Sequence, residues 1–379
     1  MAFSFTTQPS ANGLNARSPI IYAVTESTAN DDYKYILDVY INDAFTTPAS
    51  YSYRLVCSPD GSNVGKFDVS GIMKAALSPN YSINNASLTS NKDIGTGCRY
   101  IQCKGGFIDD SGTVTPNQAT SVTLVRTYEG YLDYDEAQNT TNEAFGKKFT
   151  DMPTSDQAVI PIPESAIYYY PVVRSIYSTA SWLDSDGSSA AISLGSTSTL
   201  ASENGRYIPI GTRQLVLSDG IEYYDVNFID GAANQITYRF VPTCEPKYDA
   251  YTLMFINKYG FWDYLYFFKK SVETITTTKE EYKVVNPSAS YEPQKRIYSK
   301  DGSESITLNS GFISEAFNEV YKQLMVSNDV MLVEKNGVTI QRPVIVKDVD
   351  MEFKKGVNEQ LINYTLNLEY AYDVINKTW

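Results

Sequence analysis

Residues able to do chemistry are few in this chain, and none falls into a working constellation. The 379 residues include no histidine, which excludes Ser-His-Asp and Cys-His nucleophiles and any histidine-ligated zinc or iron. The four cysteines, Cys57, Cys98, Cys103 and Cys244, lack the paired spacing of a zinc ribbon. They are too few for a disulfide scaffold in so long a chain and read as reduced core residues. Cys98 and Cys103 are five apart, so on a strand they point to opposite faces. Gly61-Ser-Asn-Val-Gly65-Lys66-Phe67 superficially resembles a phosphate loop. One residue is missing between its glycines, and Phe67 stands where the magnesium-binding hydroxyl belongs, so it reads as a turn entering a strand at Phe67. Asp184-Ser-Asp186-Gly187 starts like a calcium loop. Ser188 occupies the third acidic position and no bidentate glutamate follows at the required distance, so a plain turn is expected. Asp225, Asp230, Asp249 and Asp263 could supply a carboxylate pair for glycoside hydrolysis, but nothing singles out any of them. No catalytic, cofactor-binding or metal-ligating residue is predicted, and no enzyme activity.

Charge narrows the partners. Lys plus Arg number 31 against 44 Asp plus Glu, a net charge of −13. That opposes a nucleic-acid groove, which needs cations on one face. No lysine occurs between Lys148 and Lys247. The most basic stretch, Lys269 to Lys300, holds seven cations and four anions, a mild excess that suits a solvated face. The N-terminal sequence has no basic region followed by an apolar run, so no signal peptide is expected. No 18-residue apolar stretch is present, so no membrane insertion is expected.

The elements that must position these residues are strands. Apolar residues alternate with polar ones at Tyr33, Tyr35, Leu37, Val39 and Ile41, and again at Tyr51, Tyr53, Leu55 and Cys57, the period of half-buried strands. Thr46-Thr47-Pro48 reads as the hairpin loop between them. Ser70 is a candidate N-cap for a short helix that Pro79 stops. Arg99–Ile108 and Ser121–Arg126 are further strands. Pro153, Pro161, Pro163 and Pro171 forbid a helix over 151–171 and suggest an extended connection. Ser178–Asn204, rich in Ser, Ala and Gly, predicts mobile loops. Tyr251–Ile256 and Phe261–Phe268 flank Asn257-Lys258-Tyr259-Gly260 as a hairpin. From Ser314 a helix carries Phe317, Val320, Tyr321 and Leu324 on one face. Asn336-Gly337 marks a two-residue type I′ hairpin, followed by a strand over Pro343–Lys347 that the proline places at an edge. Ile362–Tyr370 alternates cleanly. The expected fold is mainly β, with antiparallel β-sandwich domains, a few short helices and α+β character in the C-terminal third. The expected division is 1–150, 151–275 and 276–379.

Tyrosine is the remaining lead, at 31 residues. Its large ring and hydroxyl suit protein interfaces, sugar stacking, and equally the ordinary pleated sheet. Both faces of the hairpin's second strand are apolar. Such a strand either lies between layers or faces a partner chain. Trp262, Tyr264, Tyr266, Phe268 and Tyr259 are therefore the candidate interface residues.

Asn257-Lys258-Tyr259-Gly260-Phe261-Trp262-Asp263, continuing through Phe267-Phe268-Lys269-Lys270-Ser271 to Tyr282, resembles structural proteins of tailed phages that infect Bacteroidetes, including the crAss-like group. Phe312–Ser327, Val330–Val333, Pro343–Lys347, Asn363–Leu366 and Phe67–Ile72 extend the resemblance over about half the chain. The resemblance implies a virion protein of the neck or tail, a ring-forming or tail-hub subunit without catalytic residues or cofactor. Its partners would be identical copies and adjacent portal, neck, tail or fibre proteins. Made in the host cytoplasm, it would leave by lysis, which reconciles a tyrosine-rich, β-rich composition with no export signal. The alternative expectation is a carbohydrate-binding or fibre-adaptor module for host-surface attachment.

Overall fold

The computed structural model describes residues 3–9, 13–26, 33–43, 46–81, 88–121, 124–133, 149–172, 177–194, 205–244, 247–285, 289, 291–348, 350–353 and 362–374. The chain is mainly β, with several antiparallel sheets and two short helices among the described residues. None of those helices is long and apolar enough to cross a membrane.

Near the N-terminus two sheets face each other. Phe3–Thr7, Ile21–Glu26 and Val64–Asp68 form one. The other is built on Cys98–Ile108, which pairs with Lys34–Asn42 on one side and Val125–Tyr128 on the other. Tyr22, Val24, Leu37, Val39, Ile101 and Cys103 fill the space between. Cys98, on the opposite face of the same strand, belongs to a second and larger core. The odd spacing of the two thiols thus separates two cores, as a period of two requires. Cys244, by contrast, is exposed and Cys57 half-buried, so only two of the four are interior.

The strand Lys34–Asn42 is buried on both faces from Tyr35 to Tyr40, where alternation predicted one solvated face. Asp38 can be buried there because Arg54 of the neighbouring strand grips it with two hydrogen bonds of 2.6 and 2.8 Å, the strongest geometry available to a buried carboxylate. The helix Ser70–Ala76 forms where expected, but Ser70 does not cap it. Asp68 does part of that work, accepting the Ser70 and Ile20 amides at 2.9 and 3.1 Å.

Most of the larger core is supplied from Phe149 onward. Ile160–Pro163 is more than a connection. It pairs in parallel with Phe240–Thr243 at the edge of a five-stranded sheet, where proline costs no ladder bond. Tyr177–Asp184 and Ser189–Ile192 form a hairpin in that sheet, where loops were expected; residues 195–204 of that stretch lie outside the described residues. Tyr169–Val172 pairs with Arg206–Pro209, which in turn pairs with Lys92–Asp93 from the N-terminal part.

The third layer is a seven-stranded sheet. The hairpin Tyr251–Ile256 and Trp262–Phe267 forms one end of it. At Asn336 and Gly337 the backbone has φ of 49° and 72°, the left-handed pair that a type I′ turn demands. Val338–Val346 is one continuous strand lying inside the sheet, not at its edge. Pro343 is tolerated because its carbonyl accepts the Ala371 amide at 3.0 Å. Its nitrogen therefore faces the side where the ladder to Ile362–Tyr370 begins only at Val344. Ser314 accepts the Ala316 amide and opens a short turn leading into the helix Asn318–Val326.

One apolar cluster runs from Ile94 and Cys98 through Tyr168, Phe240 and Tyr264 to Tyr321 and Tyr364. The segments on either side of residue 275 share it.

Candidate functional site

The hairpin Tyr251–Phe267 sits at the centre of that cluster, and its composition dictates the position. A strand apolar on both faces must be covered on both. Trp262, Tyr264, Tyr266 and Phe268 are 1%, 0%, 6% and 5% exposed. These four candidate interface residues are thus core residues, walled in by the chain's own sheets. Tyr259 is half-buried and donates its hydroxyl to Asp151 at 3.0 Å.

Most large tyrosines follow. Tyr168, Tyr169, Tyr170, Tyr207, Tyr224 and Tyr238 are fully buried, and their hydroxyls find internal partners as buried polar groups must. Tyr170 and Tyr238 bond to each other at 3.0 Å. Tyr224 donates to the Ile210 carbonyl at 2.9 Å and Tyr266 to that of Ile167 at 2.8 Å. The run Tyr168-Tyr169-Tyr170 passed unnoticed in the sequence, although an apolar run bounded by turns and a proline is the mark of a doubly covered strand.

Two carboxylates are buried among them. Asp263 accepts hydrogen bonds from Thr150, from the Tyr168 hydroxyl at 3.0 Å and from Asn257 Nδ2 at 3.3 Å. Burial pushes its carboxyl up to about 6 against the pull of those donors. Glu334 accepts from Ile167 N at 3.0 Å, Arg213 Nη1 at 3.1 Å and Thr252 Oγ1 at 3.3 Å, and burial raises it too. A carboxyl near 6 beside a phenol has the right basicity for proton transfer. Asp263 is only 1% exposed, however, and Thr150 and Tyr168 reach it from two other segments of the same chain, while Asn257 comes from its own hairpin. Its geometry ties segments together. Asp225, the other paired candidate, is held by Arg239 through two bonds of 2.8 Å. Asp184 holds its own turn, accepting Ser188 N at 2.8 Å and Asp186 N at 3.2 Å, and ties it to Ser218, whose amide it accepts at 3.2 Å. Asp230 does the same for its hairpin, with Asn234 N at 2.8 Å. Among the described residues no group of three or more His, Cys, Asp or Glu could hold a metal ion. Burial raises the Cys98 thiol to about 12, which leaves it inert.

A pocket of about 550 Å³ opens elsewhere, lined by Glu164, Leu215, Leu217, Asp219, Ile221 and Pro242 among others. Asp263 and Glu334 do not line it.

The surface feature that stands out is an arm. Val272–Lys283 pairs with Lys295–Thr307, and the next strand, Ile362–Tyr370, accompanies this ribbon only from Ser305 onward. Among the described residues, Ile275–Lys283 and Lys295–Glu304 therefore project as a two-stranded ribbon, roughly 30 Å long at the usual strand rise, flanked at its root by Val374 on Gly302. Every residue from Val272 to Lys283 is exposed. The most exposed aromatics of the described chain, Tyr291 at 87% and Tyr298 at 80%, lie on it, with Ile275, Tyr282 and Ile297 also bare.

No family model and no curated protein matches the chain. Solved structures resemble it only distantly. Native alpha-2-macroglobulin of E. coli is 8% identical, with 96% of this chain and 20% of that chain covered, at a TM-score of 0.21. Dimeric latent PorU from Porphyromonas gingivalis is 11% identical, covering 81% and 32%, at 0.22. A Salmonella alpha-2-macroglobulin mutant is 8% identical, covering 98% and 30%, at 0.22. The chain spans a fifth to a third of the length of these proteins. Likeness at that level carries no argument. What the fold itself defines is a mainly β protein with a sealed aromatic core and a bare two-stranded arm.

Proposed function

We propose that this protein is a non-enzymatic structural component of a virion, a neck or tail ring or tail-hub subunit that self-assembles and connects neighbouring virion proteins. The observation that carries the reading is the arm. A two-stranded ribbon with both faces in water is marginally stable at best, and its bare edge invites pairing with another chain. This one exposes Ile275, Tyr282, Tyr291, Ile297 and Tyr298 along its length. Aromatic anchors of that kind gain their energy when a partner covers them. The resemblance of Asn257–Tyr282 to phage structural proteins supports the same reading, since the motif runs from the core hairpin directly into the arm. The buried carboxylates act as fasteners in this scheme, with no turnover assigned to them.

Electron microscopy of the concentrated, purified protein tests the reading. Rings or stacked particles of constant diameter are expected. Isolated single subunits that bind host glycans would replace it with the attachment-module reading.

A further inference from the structure

The arm carries charge that its own fold does not accommodate. Register places Lys279 opposite Lys300 and Lys283 opposite Lys295, and like charges directly opposite destabilise a strand pair. Arg296, also exposed, stands next to Lys295. Glu281 compensates part of this, paired with Lys279 and held below its usual range by it. The outer part of the arm, Lys279–Lys283 with Lys295–Lys300, holds five cations and two anions, so of the 31 and 44 in the whole chain the remainder keeps 26 cations against 42 anions. That outer part is net +3 and the rest of the chain net −16. The polarity of the molecule therefore favours head-to-tail contact between copies, basic arm to acidic body.

The body offers a seat of matching chemistry. The pocket of about 550 Å³ is lined by half-buried Leu215, Leu217, Ile221 and Pro242 together with exposed Glu164 and Asp219, and Val216, also on its wall, is 89% exposed. An aromatic side chain flanked by cations fills such a site with both its ring and its charge. Tyr298 is 80% exposed, so the arm does not occupy the pocket of its own chain.

Resting on the assembly reading, we infer that the arm of one copy docks on the next copy of this chain, with Tyr298 and the cations Lys283, Lys295 and Arg296 meeting the Glu164–Asp219 pocket. The contact is heterologous, the kind that repeats around a ring or along a stack.

Charge exchange tests it. Sedimentation velocity over a concentration series would compare the wild type with an arm variant (Lys283→Glu, Lys295→Glu, Arg296→Glu), a seat variant (Glu164→Lys, Asp219→Lys) and the two combined in one chain. All five positions are exposed, so melting temperatures should match and any loss is a loss of contact. Each set alone should weaken self-association by about tenfold or more, the size expected of a close interfacial charge set. The combination should restore it. A wild type that assembles while the arm variant assembles equally well overturns the docking but leaves the assembly reading intact. A combination that stays as weak as its parents overturns the pairing of arm with pocket. A wild type that is monomeric at every concentration removes the assembly reading itself. Binding of the wild-type arm to duplex DNA at physiological salt, lost in the arm variant while self-association is unchanged, would overturn the second-copy partner in favour of nucleic acid.

Discussion

Gly260 lies against the backbone of Gly130 so closely that a β-carbon on Gly260 would sit 2.8 Å from the Gly130 nitrogen. The two glycines bring the turn of the central hairpin onto the segment leaving the N-terminal sandwich. Tyr131 N then donates to the Lys258 carbonyl at 2.8 Å, and the rings of Tyr128 and Phe261 pack 5.1 Å apart. The contact fastens the N-terminal segment to the aromatic core.

Gly260→Ala should therefore be costly. Its φ of +82° suits glycine, and the added methyl meets backbone on the other side, which cannot yield cheaply. A loss of about 3 kcal/mol is expected, read from urea denaturation. Retention of wild-type stability would mean the two segments do not meet as described.

Trp262 and Tyr298 should respond in opposite ways. Trp262 is buried with Nε1 donating to the Asn80 carbonyl at 3.2 Å, so Trp262→Ala costs about 3–5 kcal/mol. Tyr298→Ala removes an exposed ring and should leave stability within about 0.5 kcal/mol while weakening self-association. Thermal melts paired with sedimentation separate the effects. A Trp262→Ala protein as stable as wild type would contradict the core assignment.

Much of this was legible in the sequence, and the failures share a cause. Alternation found Ile362–Tyr370, and Asn336-Gly337 found its hairpin, because period two and positive φ are local properties. The two-sided apolar run at Trp262–Phe268 was recognised, but sequence cannot say whether the cover comes from the same chain or another. Here Tyr168 and Tyr207, from segments far along the chain, supply cover, the Tyr168 ring packing 5.3 Å from that of Tyr264 and the Tyr207 hydroxyl accepting the Trp262 amide at 3.1 Å. The same limit hid the partners of Asp263, since Thr150 and Tyr168 are near it only in space. Pro343 misled because its edge preference depends on which side the nitrogen faces. The arm appeared in the sequence only as a mildly basic stretch. Its significance comes from the strand that stops beside it at Ser305.

The buried Asp38 depends on Arg54. Arg54→Ala leaves a carboxylate of 1% exposure without its counter-ion, and breaking such a pair costs about 3 kcal/mol. Asp38→Asn in the Arg54→Ala background should recover part of that loss. Equal stability of wild type and Arg54→Ala, measured by chemical denaturation, would contradict the assignment.

Asp263 sets part of the pH dependence. Its folded carboxyl is raised to about 6, so the folded chain keeps a proton that the unfolded chain releases near pH 4. Its contribution to stability is fully present below roughly pH 4 and is lost as pH rises through about 6. Glu129 and Glu334, also raised by burial, act in the same direction. Asp263→Asn should reduce the downward slope of stability between about pH 4 and 6 by roughly one proton. Denaturation curves at intervals across that range would show it, and an unchanged slope would mean the carboxyl titrates normally.

Native mass spectrometry of the full-length chain over a range of concentrations tests the central claim most directly. If the protein works by joining copies of itself through the arm, a discrete multiple of the 42.3 kDa subunit should accumulate, with the intermediate sizes disappearing as the assembly closes. A single subunit mass at every concentration, in buffer of physiological salt, would contradict it.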